Sequence, residues 1–185
     1  MSVTIRYNGV LKDMKAIEEL QEEFLDIAST QEWPSEIVDG AYSSLKRDES
    51  LRNTAKARGL VTTASRPLTL KGIKLVVHPQ TDPLWFTFDS EGALTRLSYF
   101  AVDYYPGTKA EAAAARASSR RYEFVHQSQA SIQTTLGGPE LHRTVVRVLD
   151  YLKKKYVPDL KVLDDSTYWQ HRDLDLLKQV MNKKA

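Results

Sequence analysis

The last third of the chain constrains the fold most. Leu141, Val145, Val148, Leu149, Leu152 and Tyr156 recur at helical spacing, and Pro158 prevents the helix from continuing. Before that helix, residues 121–135 alternate. Tyr122, Phe124, His126, Ser128, Ala130, Ile132 and Thr134 share one side, while Glu123, Gln127, Gln129, Ser131 and Gln133 dominate the other. A period of two predicts a long strand with one face in the core. Residues 160–163 then read as a short strand. Strand, helix, strand makes a βαβ unit. If its strands run parallel in one sheet, their C-terminal ends lie along one edge.

The rest of the chain must supply the partner surfaces. Residues 3–7 read as a strand that ends at the Asn8-Gly9 turn signal. Met14, Ile17, Leu20, Phe24, Ile27 and Ala28 make an apolar stripe over 14–28, with Asp13 placed to cap the helix. Glu18, Glu19, Glu22 and Glu23 occupy its other face and read as solvated. Strands over 73–78, 84–88 and 94–102 follow closely, joined by HPQTDP and DSEG. Proline and glycine in these linkers suit the turns of an antiparallel meander. Residues 108–121 are rich in helix formers but hold no large apolar side chain, which predicts a partly exposed helix. Asp173 caps a last helix carrying Leu174, Leu177, Val180 and Met181.

Between Trp33 and Gly72 the periodicity fades, apart from a sparse helical pattern over 43–57. Within residues 40–71, Lys46, Arg47, Arg52, Lys56, Arg58, Arg66 and Lys71 face only Asp48 and Glu49. This reads as a basic, weakly structured excursion at about 40–71 of a single domain spanning 1–185. The fold class is then α+β: a mixed sheet, made of the meander and the C-terminal βαβ unit, with long helices packed mainly on one face.

Composition narrows the chemistry. The 185 residues contain no cysteine, which removes disulfides, thiolate nucleophiles and cysteine-based zinc or iron–sulfur sites. No run approaches the roughly 18 apolar residues of a membrane span, and the first residues lack a signal-peptide core. The chain therefore reads as cytoplasmic, with no membrane partner. A net charge of +2 points to no particular partner either.

The stretch QTTLGGPELHR, residues 133–143, carries the strongest hint of a site. Thr135, Gly137 and Gly138 could cradle an anion, because glycine lets the backbone approach a ligand and free helix amides attract negative charge. His142 lies on the first turn, where an imidazole can serve as donor or base. Asp164 and Asp165, at the end of the next strand, would be metal ligands if the crossover brings them to the same edge. The plainer reading is an ordinary helix start, with Gly138 as cap and Pro139 as first helical residue. The P-loop and GxGxxG spacings are both absent.

His126 is the second candidate base, read more simply as a hydrogen-bonded core histidine. No HExxH pair and no G-x-S-x-G elbow occur. No cofactor is implied. The leading expectation is a binding or interaction module, with a protein partner or a second copy at a sheet edge or cleft. A small enzyme acting on a phosphate- or carboxylate-bearing substrate at the 134–142/164–165 edge is the alternative. Nucleic-acid contact through Arg47, Arg52, Lys56, Arg58 and Arg66 is the third.

Overall fold

The computed structural model describes residues 2–42, 68–102 and 121–184. In chain order the described elements are β1 (Thr4–Asn8), α1 (Ile17–Thr30), β2 (Ser35–Tyr42), β3 (Leu68–Leu75), β4 (Leu84–Phe88), β5 (Arg96–Val102), β6 (Arg121–Gln127) and β7 (Ala130–Gln133). They are followed by α2 (Gly138–Lys155), β8 (Lys161–Asp164), α3 (Tyr168–His171) and α4 (Leu174–Lys184). The fold is α+β. The chain divides into two compact units. The first comprises Met1–Gly40, Thr69–Arg96 and Ser128–Ala185, and the second Ala41–Leu68 and Leu97–Gln127. The described part of the second unit consists mainly of β5 paired with β6. The helices expected at 43–57 and 108–121 lie, but for Arg121, outside the described residues.

Two three-stranded sheets organise the first unit, in the orders β7-β1-β8 and β2-β3-β4. β1 is antiparallel to β7, with Ile5 opposite Ile132, and antiparallel to β8, with Ile5 opposite Asp164. β7 and β8 therefore run parallel to each other, as the crossover reading requires. They are not neighbours, because β1 fills the place between them. The C-terminal ends of both strands still flank the same end of β1. Alternation along β1, β7 and β8 sends Ile5, Tyr7, Ala130, Ile132, Val162 and Asp164 inward.

β1 also ties this sheet to β4. The buried Tyr7 hydroxyl donates to the Trp85 carbonyl at 3.1 Å and accepts from the Trp85 amide at 2.9 Å. One phenol thus satisfies both backbone groups of a strand residue, as a neighbouring strand would. Burial holds the phenol well above the usual tyrosine range. Farther along, the Leu94 amide donates to Gly9 and the Leu11 amide to Gly92. β4 is consequently covered on every side, and all five of its residues are buried.

Three expectations change. β2 is a strand where the periodicity had faded, and only Val38 of its described side chains is buried. Strand β3 runs Leu68–Leu75 instead of 73–78. Its Gly72 has φ 148°, and a Cβ there would sit 1.9 Å from the Phe86 carbonyl oxygen. The long strand over 121–135 is interrupted at Ser128 and Gln129, both exposed, so that β6 and β7 join different sheets.

α1 begins with a single 3-10 turn after Asp13, whose carboxylate accepts from the Lys15 amide at 2.9 Å. Ile17, Leu20, Phe24 and Ala28 are its buried stripe. Phe24 packs its ring 4.8 Å from Phe86 and 6.4 Å from Tyr156 between centroids, joining α1 to β4 and to the end of α2. Not all of its glutamates are simply solvated. Glu23 accepts from the Tyr151 and Tyr156 hydroxyls at 2.6 Å each, and Lys155 bridges Glu19 and Glu23. The Lys155 ammonium and the two phenols hold the Glu23 carboxyl down at about 2.

Tyr7→Phe leaves the Trp85 amide and carbonyl buried without a partner. It is expected to lower the unfolding free energy by about 2 kcal/mol in urea titration, with an unchanged denaturant slope. Gly72→Ala forces a clash with backbone and is expected to cost roughly 3 kcal/mol or more in the same measurement.

Candidate functional site

α2 starts from a short 3-10 turn, Thr135–Gly137, that follows directly on Thr134 at the end of β7. Gly138 has φ 71° and ψ −173°, so the helical backbone proper begins at Pro139. That matches the plain helix-start reading. The corner uses its own polar groups. The Gly137 amide donates to the Thr134 carbonyl at 3.2 Å, and the Gly138 amide donates to Thr135. The Thr135 hydroxyl oxygen accepts from the Val3 amide at 2.7 Å, which fixes the corner to the start of β1. These hydrogen bonds engage the groups expected to cradle an anion in holding the chain together.

His142 faces the opposite way from solvent and is 0% exposed. It shares the inner stripe of α2 with Val145, Val146, Val148, Leu149 and Leu152. Its Nδ1 lies 2.8 Å from the Thr134 hydroxyl, itself fully buried. Its Nε2 lies 3.0 Å from Asp164 Oδ2 and 3.2 Å from the Ser166 hydroxyl. With Nε2–H donating to the carboxylate and Nδ1 accepting from Thr134, both ring nitrogens are satisfied. The Tyr168 ring meets the imidazole edge-on, 5.8 Å between centroids.

Asp164 gathers the rest of the network. Its Oδ1 accepts from the Ser166 amide at 2.8 Å and the Ser166 hydroxyl at 2.7 Å. Its Oδ2 also accepts from the Trp169 amide at 2.8 Å. Burial pushes this carboxyl upward, but the hydrogen bonds from His142 and Ser166 outweigh it and hold the group below the usual carboxylate range.

The crossover therefore brings His142 and Asp164 together, as the expected site required. Asp165 goes elsewhere, because successive strand residues point to opposite faces. It accepts from Arg6 at 2.9 Å and from the Thr4 amide at 3.2 Å. Asp164 and Asp165 thus do not share one position as metal ligands. Among the described residues no group of three or more histidine or acidic side chains is arranged to hold a metal ion. His126 lies in β6 of the other unit, and its side chain is outside the described residues.

Thr134, expected at the same edge, does meet His142 there, and Ser166 is the member not foreseen as its chemical partner. Thr134 had a signal in its place at the end of the inward-facing row of β7. Ser166 had none beyond its position beside Asp164. Chemically, a carboxylate and a hydroxyl on opposite nitrogens of one imidazole make an acid–base relay in which the carboxylate orients the ring and the ring can take the hydroxyl proton. The relay is closed, however: Thr134 and His142 are 0% exposed and Ser166 is 2% exposed. Every carboxylate oxygen of Asp164 already accepts from the chain itself. No family model matches this sequence, and comparisons with curated proteins and with solved structures give no match either.

The lowered pKa fixes the sign of a pH effect. Asp164 contributes stability above the ordinary aspartate value of about 4, and that contribution is lost as pH falls through its lower folded value. Asp164→Asn is expected to cost about 3 kcal/mol near pH 7. The gap between wild type and variant should close as pH falls below about 4. Chemical unfolding at a series of pH values tests this, and a gap independent of pH would contradict the assignment. Diethyl pyrocarbonate should modify His171, which is exposed, and His78, which is half-buried, well before His142.

Proposed function

We propose that this protein is a cytoplasmic binding or interaction module in which the His142 network is a structural lock. The sealing of that network carries the reading. An acid–base set with no exposed atom at the imidazole or at the Thr134 hydroxyl cannot meet a substrate in this conformation. The lock joins the end of β7, the first turn of α2 and the end of β8, so its energetic role is to hold the crossover shut.

The working surface proposed is the outward face of the β7-β1-β8 sheet. Leu163 is 60% exposed there, opposite Arg6 in the register. Arg6 itself is partly exposed and paired with Asp165. Lys161 and Gln133, both exposed, complete an apolar side chain with a polar rim. Leu136, 68% exposed in the turn after β7, extends the set toward the start of β1. A protein partner or a second copy would cover it.

A second reading keeps the enzyme alternative. It is favoured by one observation, the placement of Asp164 and Thr134 on opposite nitrogens of His142. The basic residues of the nucleic-acid reading, Arg47, Arg52, Lys56, Arg58 and Arg66, lie outside the described residues.

A photo-crosslinking amino acid placed at Leu163 or Leu136 tests the binding reading in cells. Discrete adducts are expected at these two positions and not at Leu25, exposed on α1. Absence of adducts at both sheet positions, or turnover of a substrate that disappears with His142→Asn, would sink it.

A further inference from the structure

What closes the His142 network is a short segment held on by little. Residues 166–172 wrap over Asp164 and carry the four-residue helix α3. That helix buries none of its own side chains. Tyr168 is its apolar anchor, packed half-buried against the small cluster of Val3, Leu177 and Met181. The remaining hold is polar. The Trp169 amide donates to Asp164 Oδ2, and the Thr167 amide donates to the Asp164 carbonyl at 3.0 Å. Arg172 makes a bidentate pair with Asp150 at 2.7 and 2.8 Å, with both side chains more than two-fifths exposed. Arg172 also lies 4.8 Å over the Trp169 ring.

Both ends of this helix are strained. Thr167 has φ 63° and ψ 7°, and Arg172 has φ 57° and ψ 22°. These are two of the three non-glycine residues at positive φ among the described residues. A left-handed conformation is unfavourable for any residue with a Cβ, and more so for β-branched threonine. Such strain persists only where the surroundings enforce it. Here it sits at both junctions of a segment whose attachments are few and largely polar.

We propose that residues 167–172 form a releasable cap over the His142–Asp164 pair, opening about Thr167 and Arg172 as a local unit. Opening relaxes both strained residues and breaks the Trp169–Asp164 hydrogen bond and the Arg172–Asp150 pair. It withdraws Tyr168 and turns the carboxylate and the imidazole edge toward solvent. The cap thereby controls whether the relay of the second reading can be reached. The inference does not depend on the binding reading, since crosslinking at Leu163 can fail while the cap still opens.

Native-state hydrogen exchange on the full chain tests it. The Trp169 amide is expected to exchange through an opening that low urea hardly affects, while the Leu149 amide exchanges only with global unfolding. Asp150→Ala should speed Trp169 exchange about fivefold, the effect of losing an exposed bidentate pair, and leave its weak urea dependence as it was. The rate of His142 modification by diethyl pyrocarbonate should rise in the same proportion. The proposal is overturned if Trp169 and Leu149 share one urea dependence. It is also overturned if Asp150→Ala moves neither the Trp169 exchange nor the His142 reactivity.

Discussion

Strand β1 is the member on which the rest of the first unit depends. It is hydrogen-bonded along both edges, to β7 on one side and to β8 on the other. Its inward phenol satisfies Trp85 of β4, and its continuation past Gly9 pairs with residues 92–94. The start of the strand anchors both sides of the crossover, since Val3 donates to Thr135 and Thr4 accepts from Asp165. A five-residue strand therefore sets the spacing between the two ends of the α2 unit. Without that spacing, His142 and Asp164 would not meet across it.

The elements themselves were legible where a strong period meets a clear stop. The stripes of α1 and α2, the span of β4 and the Asp173 cap of α4 all appear close to where the sequence puts them. Asp173 Oδ1 accepts from the Asp175 and Leu176 amides, as a capping carboxylate should. β2 was hidden because a strand with one buried side chain has no period to show. Its Glu36 and Asp39 argue against a strand in isolation, and make sense only opposite Lys74 and Lys71 of β3. The break at Ser128 and Gln129 was hidden for another reason. A two-residue interruption keeps the alternation in phase, so the pattern runs through it unchanged.

The candidate site was half legible. The residue types at the strand ends and the helix start point to one edge, and His142 and Asp164 do meet there. Helical spacing from His142 to Val145, Val146 and Leu149 also signals that the ring lies in the apolar stripe, and so faces the core. What local sequence cannot carry is the insertion of β1 between β7 and β8. Nor can it carry the cover over Asp164, which depends on two left-handed residues that are not glycine.

The long reach of β1 has a consequence for the order in which this unit can assemble. Val3 bonds to Thr135 across 132 residues of chain, and Thr4 to Asp165 across 161. α1, whose backbone hydrogen bonds are local, can form early. Both edges of β1 must wait until the crossover has been synthesised, and closing such long loops is slow relative to local helix formation. During synthesis both edges of the strand that carries Val3, Ile5 and Tyr7 therefore stay unpaired until β7 and β8 have been made. The strand that organises the finished unit is therefore an aggregation liability until β7 and β8 are available to pair with it.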